Sequence, residues 1–501
     1  MPVARVDTDQ AARYSRNTLC MVLTWIDYAV IAAYLLAITA FGSWFARFQK
    51  TTRDYFLTGR SVPWWAICFT IVATETSTLS FIGVPAGAYA SNMTFLQLAL
   101  GYVVGRLLVS VLFLPAYFRG ELYTSYELLL RRFGPEVKNV AAIIFVITRT
   151  LADGIRLFAT ALVISVVTQV PVNITVIALG VAMIIYTVRG GVSAVIWTDV
   201  VQMFVYVAGA LLVFAGLLYL IPGGWAEVVR TAGGSGHFRV FDFSTDPART
   251  YTFWAGLFGG IALTLATHGT DQFLVQRLLS AQSVRGASAG LILSGVLVFA
   301  QFVLFLVIGA MLFTFYQHTP LPRPLGRTDE VLPLFVVTSL PQGVSGFIVA
   351  AIVAAALSPS INSLAATTVN DFYLKYVRPD ADEDTLMRVA RQATIGWGVA
   401  QIAVALAAQW VTRSVLDSGL SVLSLAAGPV LGAFLTGVLT TRVKSGAMLG
   451  GMAAGAAVLT WAWWTSACAF TWYALTGAAV TSIVALLLSF FPSGTPDGQG
   501  L

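Results

Sequence analysis

Long uncharged stretches, rather than an alternation of apolar and polar residues, organise this chain. No Asp, Glu, Lys or Arg occurs between Arg156 and Arg189, between Arg285 and Arg323, between Glu330 and Asp371, or between Lys444 and Asp497. A helix that crosses a bilayer needs about 20 mostly apolar residues, and these runs supply them. The last run is long enough for two crossings, with a turn near residues 465–467. A membrane β-barrel would instead show short alternating segments. The pattern predicts an all-α, polytopic membrane protein with about 13 transmembrane helices. They fall near residues 22–46, 62–90, 94–118, 139–168, 172–188, 195–221, 253–276, 286–316, 344–374, 389–411, 418–440, 445–464 and 467–490.

Composition sharpens this. Of 501 residues, 10% are charged and 57% hydrophobic, against about 25% charged in soluble domains. That excludes a soluble enzyme, a disordered regulator and an ordinary nucleic-acid binder. With the N-terminus outside, the inward loops hold 17 Lys and Arg and the outward segments nine; Arg106, Arg149 and Arg156 lie inside spans. Positive charge collects on the cytoplasmic side. The chain should therefore sit in the cell membrane with residues 1–21 as an extracytoplasmic tail, 22–490 as one transmembrane domain and 491–501 as a cytoplasmic tail. The apolar run after residue 21 is too long for a signal peptide, so none is expected.

An ionisable group at membrane depth is costly and marks a candidate function. Glu75 lies in Ala73-Thr74-Glu75-Thr76-Ser77-Thr78, ahead of Gly83-Val84-Pro85. Five consecutive polar residues in mid-span suit an interrupted helix, whose freed carbonyls can hold a cation; the alternative is hydroxyls bonding back to their own helix. A second polar interruption is Thr267-His268-Gly269-Thr270-Asp271-Gln272. His268 reads more readily as a satisfied bundle histidine than as a proton carrier. Arg149, Asp153 and Arg156 share one helix face and can neutralise one another, or offer an arginine to an anion. Asp199 can be a helix-start residue or part of a site. In the ninth span Pro359 leaves the Ala355 carbonyl without its helical partner, beside Ser358 and Ser360.

Other chemistries find no support. Cys20, Cys68 and Cys468 are scattered, the three His are isolated, and no P-loop of the form GxxxxGK[ST] occurs. No transition-metal site, cofactor or ATP-driven pump is expected, and no paired acid and base suggests an enzyme.

The chain resembles the sodium:solute symporter family over nearly its whole length. The stretches that carry the resemblance are Asp54–Ser61, Ala73–Ser77 through Pro85, Gly190-Gly191 through Asp199 and Gln202, Gly269–Gln272 through Arg277, Asn370–Tyr373, and Gly428–Gly437. The resemblance implies two inverted five-helix repeats, about 62–221 and 253–440, with one extra N-terminal and two extra C-terminal helices. The first helix of each repeat is then one of the two interrupted spans. It also implies a sodium site of carbonyls from Ala73, Thr76 and Ile352, completed by hydroxyls at positions that here are Ala355 and Ala356. A second ion site falls on Asp199 and Ser358. Alanine offers a cation no side-chain oxygen, so compensation is expected from the Ala355 carbonyl and Glu75.

The implied function is sodium-coupled symport of a small organic solute, an organic anion or a sugar-like molecule, by alternating access. The monocarboxylate, vitamin and iodide branch is nearer in motif than the sugar branch. The alternatives are proton-coupled or uncoupled transport by the same fold and, further off, a transporter-like membrane sensor. The expected solute cavity lies between Thr74, Ser77, Gln97, Arg156, Thr264, Thr267 and His268. Partners are then the solute, sodium ion and the lipid bilayer, with no nucleic acid.

Overall fold

The computed structural model describes residues 23–44, 52–119, 122–356, 360–410 and 415–490. Among them the regular structure is helical, apart from one isolated bridge between Val62 and Ala281. The main helices are α1 (Trp25–Trp44), α2 (Trp64–Glu75), α3 (Thr78–Ala90), α4 (Leu96–Leu112), α5 (Pro135–Thr168), α6 (Val172–Leu220), α7 (Gly260–Gly269) and α8 (Gln272–Leu279). They continue as α9 (Val284–His318), α10 (Val344–Ala356), α11 (Ile361–Thr367), α12 (Glu383–Ala408), α13 (Val415–Leu439), α14 (Ser445–Thr465) and α15 (Tyr473–Leu488).

Helix ends follow local chemistry. Gly134, at φ 87°, turns the chain into Pro135, which starts α5 because its missing N–H costs nothing in a first turn. Ser283 caps α9 by accepting from the Gly286 N–H. Gly191, at φ 58°, breaks α6, and glycine pays little for that conformation. The predicted boundary between the spans at 172–188 and 195–221 falls at this break.

Both predicted interruptions are present. α2 ends at Glu75 and α3 starts at Thr78, with a 56° bend between Trp64–Glu75 and Ser80–Ala90. α7 ends at Gly269, and α8 restarts behind Asp271, whose carboxylate accepts from the Phe273 N–H at 2.9 Å. The bridge at Val62 ties the start of α2 to the chain just after α8.

α9 lies against α2, α3 and α4; α7 lies against α4; α12 packs on α5 and α6; α13, α14 and α15 pack together. Gly101 of α4 permits the α7 side to approach, since a Cβ there would stand 2.5 Å from the Gly256 carbonyl oxygen. The outer surface carries exposed Ile147, Ile174, Phe204, Leu211 and Val399, an apolar coat that suits lipid. Trp25, Trp44, Trp64 and Trp464 stand exposed at helix ends, where amphipathic rings meet headgroups.

Helix length and apolarity alone do not confirm the predicted count of thirteen crossings. Six unbroken helices among the described residues are long and apolar enough to cross a membrane, or seven if the bent pair is one span. The stretches Val172–Ile185, Val344–Ala354 and Ser424–Leu439 are apolar but short. Two cations read as loop charges are also buried. Lys138 pairs with Asp371 at 3.0 Å, and Arg277 with Asp199 at 3.1 Å.

Candidate functional site

The two breaks face one cavity. It has a volume of about 100 Å³, and its walls include Thr74, Glu75, Ser77 and Ser80 from the first break and Leu263, Thr264, Thr267 and His268 from α7. Arg149, Asp153 and Arg156 of α5 close one side, and Phe95, Tyr102, Phe273 and Phe302 supply aromatic wall. Seven of the site residues expected from sequence thus share this wall: Thr74, Glu75, Ser77, Arg156, Thr264, Thr267 and His268.

Backbone geometry at the first break explains its polar run. The Thr76 N–H still donates to the Val72 carbonyl, but the Ser77 N–H donates to Glu75 at 3.0 Å instead of reaching Ala73. The helical ladder stops there, and the Ala73 carbonyl loses its usual partner. The Thr78 hydroxyl donates to the Ile352 carbonyl at 3.1 Å, which ties this break to α10. The Thr76 hydroxyl donates to Gln301 Oε1 at 3.0 Å, which ties the first break to α9. Ala355 and Ala356 end α10. Ser358 lies outside the described residues, as does Pro359.

Charge in and around the cavity is closely matched. Glu75 Oε2 forms an ion pair with Arg106 Nη2, and Arg106 is fully buried. His268 Nε2 stands 3.6 Å from the same carboxylate oxygen and 3.5 Å from the guanidinium, while its Nδ1 is 2.9 Å from the Thr267 hydroxyl. Gly295 makes room for this arginine, since a Cβ there would lie 2.9 Å from Arg106 Cδ. Glu75 is therefore not the uncommitted ion ligand that its place in the sequence suggests.

Asp199 is committed too. Its Oδ2 accepts from Thr70 Oγ1 at 2.7 Å, Thr74 Oγ1 at 3.3 Å and Arg277 Nη2 at 3.1 Å. The Arg277 guanidinium also stacks over Phe273, 4.4 Å from the ring centre. Asp199, expected from the sequence as a second-site ion ligand, stands in a buried ion pair with Arg277, whose charge offsets its own. Gln97 likewise lies away from the cavity wall. Its Nε2 donates to the Thr94 and Tyr251 carbonyls, and its Oε1 accepts from the Asp242 N–H, so it fastens a loop.

The α5 ladder extends beyond its own helix. Arg149 pairs with Asp271 of the second break and stands 3.6 Å from Asp153; Arg156 stands 3.7 Å from Asp153. Arg149 faces the central cavity, whereas Asp271 lines a smaller one of about 30 Å³ with Tyr126, Thr148 and Thr270. Opposite, a cavity of about 460 Å³ lies between α3 and the loop around Leu325–Asp329. Phe95 lines both it and the central cavity, and packs edge-to-face on Phe302 with ring centres 5.2 Å apart.

Sequence reasoning singled out Arg106 as an in-span charge but gave it no role. A charge at membrane depth needs a partner, and that rule could have sent it to Glu75. Phe95, Tyr102, Phe273 and Phe302 carry no such signal, because aromatic residues are common along every span. Among the described residues no group of three or more His, Cys, Asp or Glu could hold a metal ion.

A sequence profile of the sodium:solute symporter family matches residues 55–455. A sodium/sialic acid symporter of Proteus mirabilis is 31% identical over 443 residues, 85% of this chain and 87% of that protein. The human sodium/iodide cotransporter is 31% identical over 453 residues, covering 87% of this chain and 69% of that one. The solved structure of a Na+-coupled sialic acid symporter in a substrate-bound outward-open state superposes with a TM-score of 0.86 at 28% identity. It covers 94% of this chain and 98% of its own. The closed structure of Mhp1, at a TM-score of 0.54 and 14% identity, shares the fold. The chain is a multi-pass membrane transporter and belongs to the sodium:solute symporter family.

Proposed function

We propose that this protein is a sodium-coupled symporter of a small organic anion, working by alternating access. The observation that carries the anion reading is Arg156. Its side chain is 12% exposed, faces the cavity, shares Asp153 with Arg149, and has a buried Nη1 without a hydrogen-bond partner. A buried donor in that state is costly until something accepts from it, and a solute carboxylate is a fitting acceptor. The named relatives transport sialic acid and iodide with sodium, and both of those solutes are anions.

For the ion we propose main-chain oxygens of Ala73 and Thr76 at the first break, with Ile352 and Ala355 of α10, and Ser358 beyond. The Thr78 to Ile352 bond supports this, since it draws those carbonyls toward one place. Interrupted helices offer such oxygens without a formal charge. Proton coupling through Glu75 is less well supported, because that carboxylate is held against Arg106. Alternating access would use two closures, Phe95 on Phe302 and Arg149 on Asp271. We place the wider cavity on the outer face, following the bias of loop charge, with the N-terminus outside and the C-terminus in the cytoplasm.

The test is ligand-dependent stability of the purified protein, since a ligand bound only by the folded state raises its apparent stability. Small carboxylates are expected to raise the unfolding temperature more in sodium than in potassium at equal ionic strength. Protection that is identical in both salts would remove the sodium reading. In Arg156→Gln, carboxylate protection should fall at least about tenfold in concentration dependence, consistent with losing a charged hydrogen bond.

A further inference from the structure

The carboxylate opposite Arg156 has a consequence for substrate choice. Asp153 is 6% exposed and lines the central cavity. Both its oxygens are buried, and neither accepts a hydrogen bond from the protein. Arg149 and Arg156 stand beside it at 3.6 and 3.7 Å, which balances charge without filling its lone pairs. A carboxylate has room for about four donors, and a buried one left without any is expensive. The same wall therefore presents an acceptor-only group and, 3.7 Å away, an arginine with a buried Nη1 to spare.

We infer that the transported solute is a small carboxylate bearing a hydrogen-bond donor, a hydroxyl or an ammonium, close to its carboxyl group. The carboxylate meets Arg156 and the donor meets Asp153. This rests on the anion reading above and narrows it. A bare anion would bring negative charge to Asp153 and offer it no proton, so the site discriminates against halides and simple fatty acids. Size narrows the class again. A volume of about 100 Å³ suits a small solute.

Matched pairs test this on the purified full-length protein in sodium. Thermal protection is titrated with lactate against propionate, 2-hydroxybutyrate against butyrate, 2-hydroxyisovalerate against isovalerate, the corresponding 2-amino acids, and iodide. A site built around a substrate donor rejects the analogue lacking it. In at least one size class the hydroxy or amino acid should protect at concentrations at least about tenfold lower than the plain acid, and iodide should not protect. In Asp153→Asn, which keeps one acceptor and drops the charge, that preference should shrink while the plain acid binds no worse. If hydroxy, amino and plain acids protect alike, or iodide protects as well as any, the inference is overturned and the anion reading stands. If no carboxylate protects, both fail. The wild-type comparison decides by itself if the variant does not fold.

Discussion

Glu75 shows what the amino-acid sequence displays and what it hides. A carboxylate among hydroxyls in an apolar span is visible at once; its partner Arg106, 31 positions away, is not. Asp199 and Arg277 are 78 positions apart, and Arg277 reads as a loop cation because it follows a span. Partners brought together by tertiary packing leave no local pattern. These buried pairs carry a stability prediction. Removing one partner leaves the other charged and buried, so Glu75→Ala or Arg106→Ala should destabilise by about 3–5 kcal/mol, with the double variant costing less than the sum. Denaturation of the purified variants measures this; additive losses would mean that the two groups do not interact.

At the membrane surface, Glu227 of the helix Gly224–Gly234 gives a pH prediction. Its carboxylate binds Arg230 at 2.6 Å, the Thr231 hydroxyl at 2.7 Å and His318 at 3.0 Å. The Arg230 bond, then the Thr231 bond, pull its pKa down to about 2. A depressed carboxylate stabilises the fold above its ordinary titration range and loses that contribution as pH falls toward about 2. The difference in unfolding temperature between wild type and Glu227→Gln should shrink as pH falls below about 4.5 toward 2. A difference that grows with acidification below pH ~4.5 would contradict the assignment.

Among the elements, the two broken helices were the most legible part of the site. A run of hydroxyls, a carboxylate and small residues opposes an apolar helix on every local criterion, so the interruptions at Thr76–Ser77 and Thr270–Asp271 stood out. Shorter crossings were less legible, since hydropathy reports an apolar run but not how much of it stays helical. Close helix approach was also hidden, because Gly101 looks like any other glycine until α7 is seen against it. Gly101→Ala would put a Cβ 2.5 Å from the Gly256 oxygen and 2.8 Å from the Gly260 Cα. Overpacking of that kind costs roughly 1–3 kcal/mol. Gly396 of α12 has open space around its added Cβ, and Gly396→Ala should be neutral or stabilise by about 0.5–1 kcal/mol. Equal effects of the two changes on unfolding temperature would argue against this packing. At the end of α10, Ala355→Ser and Ala356→Ser would return hydroxyls to the positions that resemblance assigns to sodium. Each should lower the sodium concentration needed for half-maximal protection, as an added oxygen ligand would.

For the whole molecule, the fold places matched charges around a small cavity between two helix breaks, with Phe95 and Phe302 in its wall and the Arg149–Asp271 pair beside it. Sequence reading reached the class, the family and seven of the seventeen residues that line the cavity, because membrane burial makes polar residues conspicuous. It missed the pairing of Glu75 with Arg106 and of Asp199 with Arg277, because pairing is a property of packing. What remains central is coupling. Purified protein in proteoliposomes, given a labelled 2-hydroxy or 2-amino carboxylate, tests it directly. Accumulation should require an inward sodium gradient, disappear when potassium replaces sodium, and be absent under a pH gradient alone. Accumulation driven by the pH gradient without sodium would contradict the account.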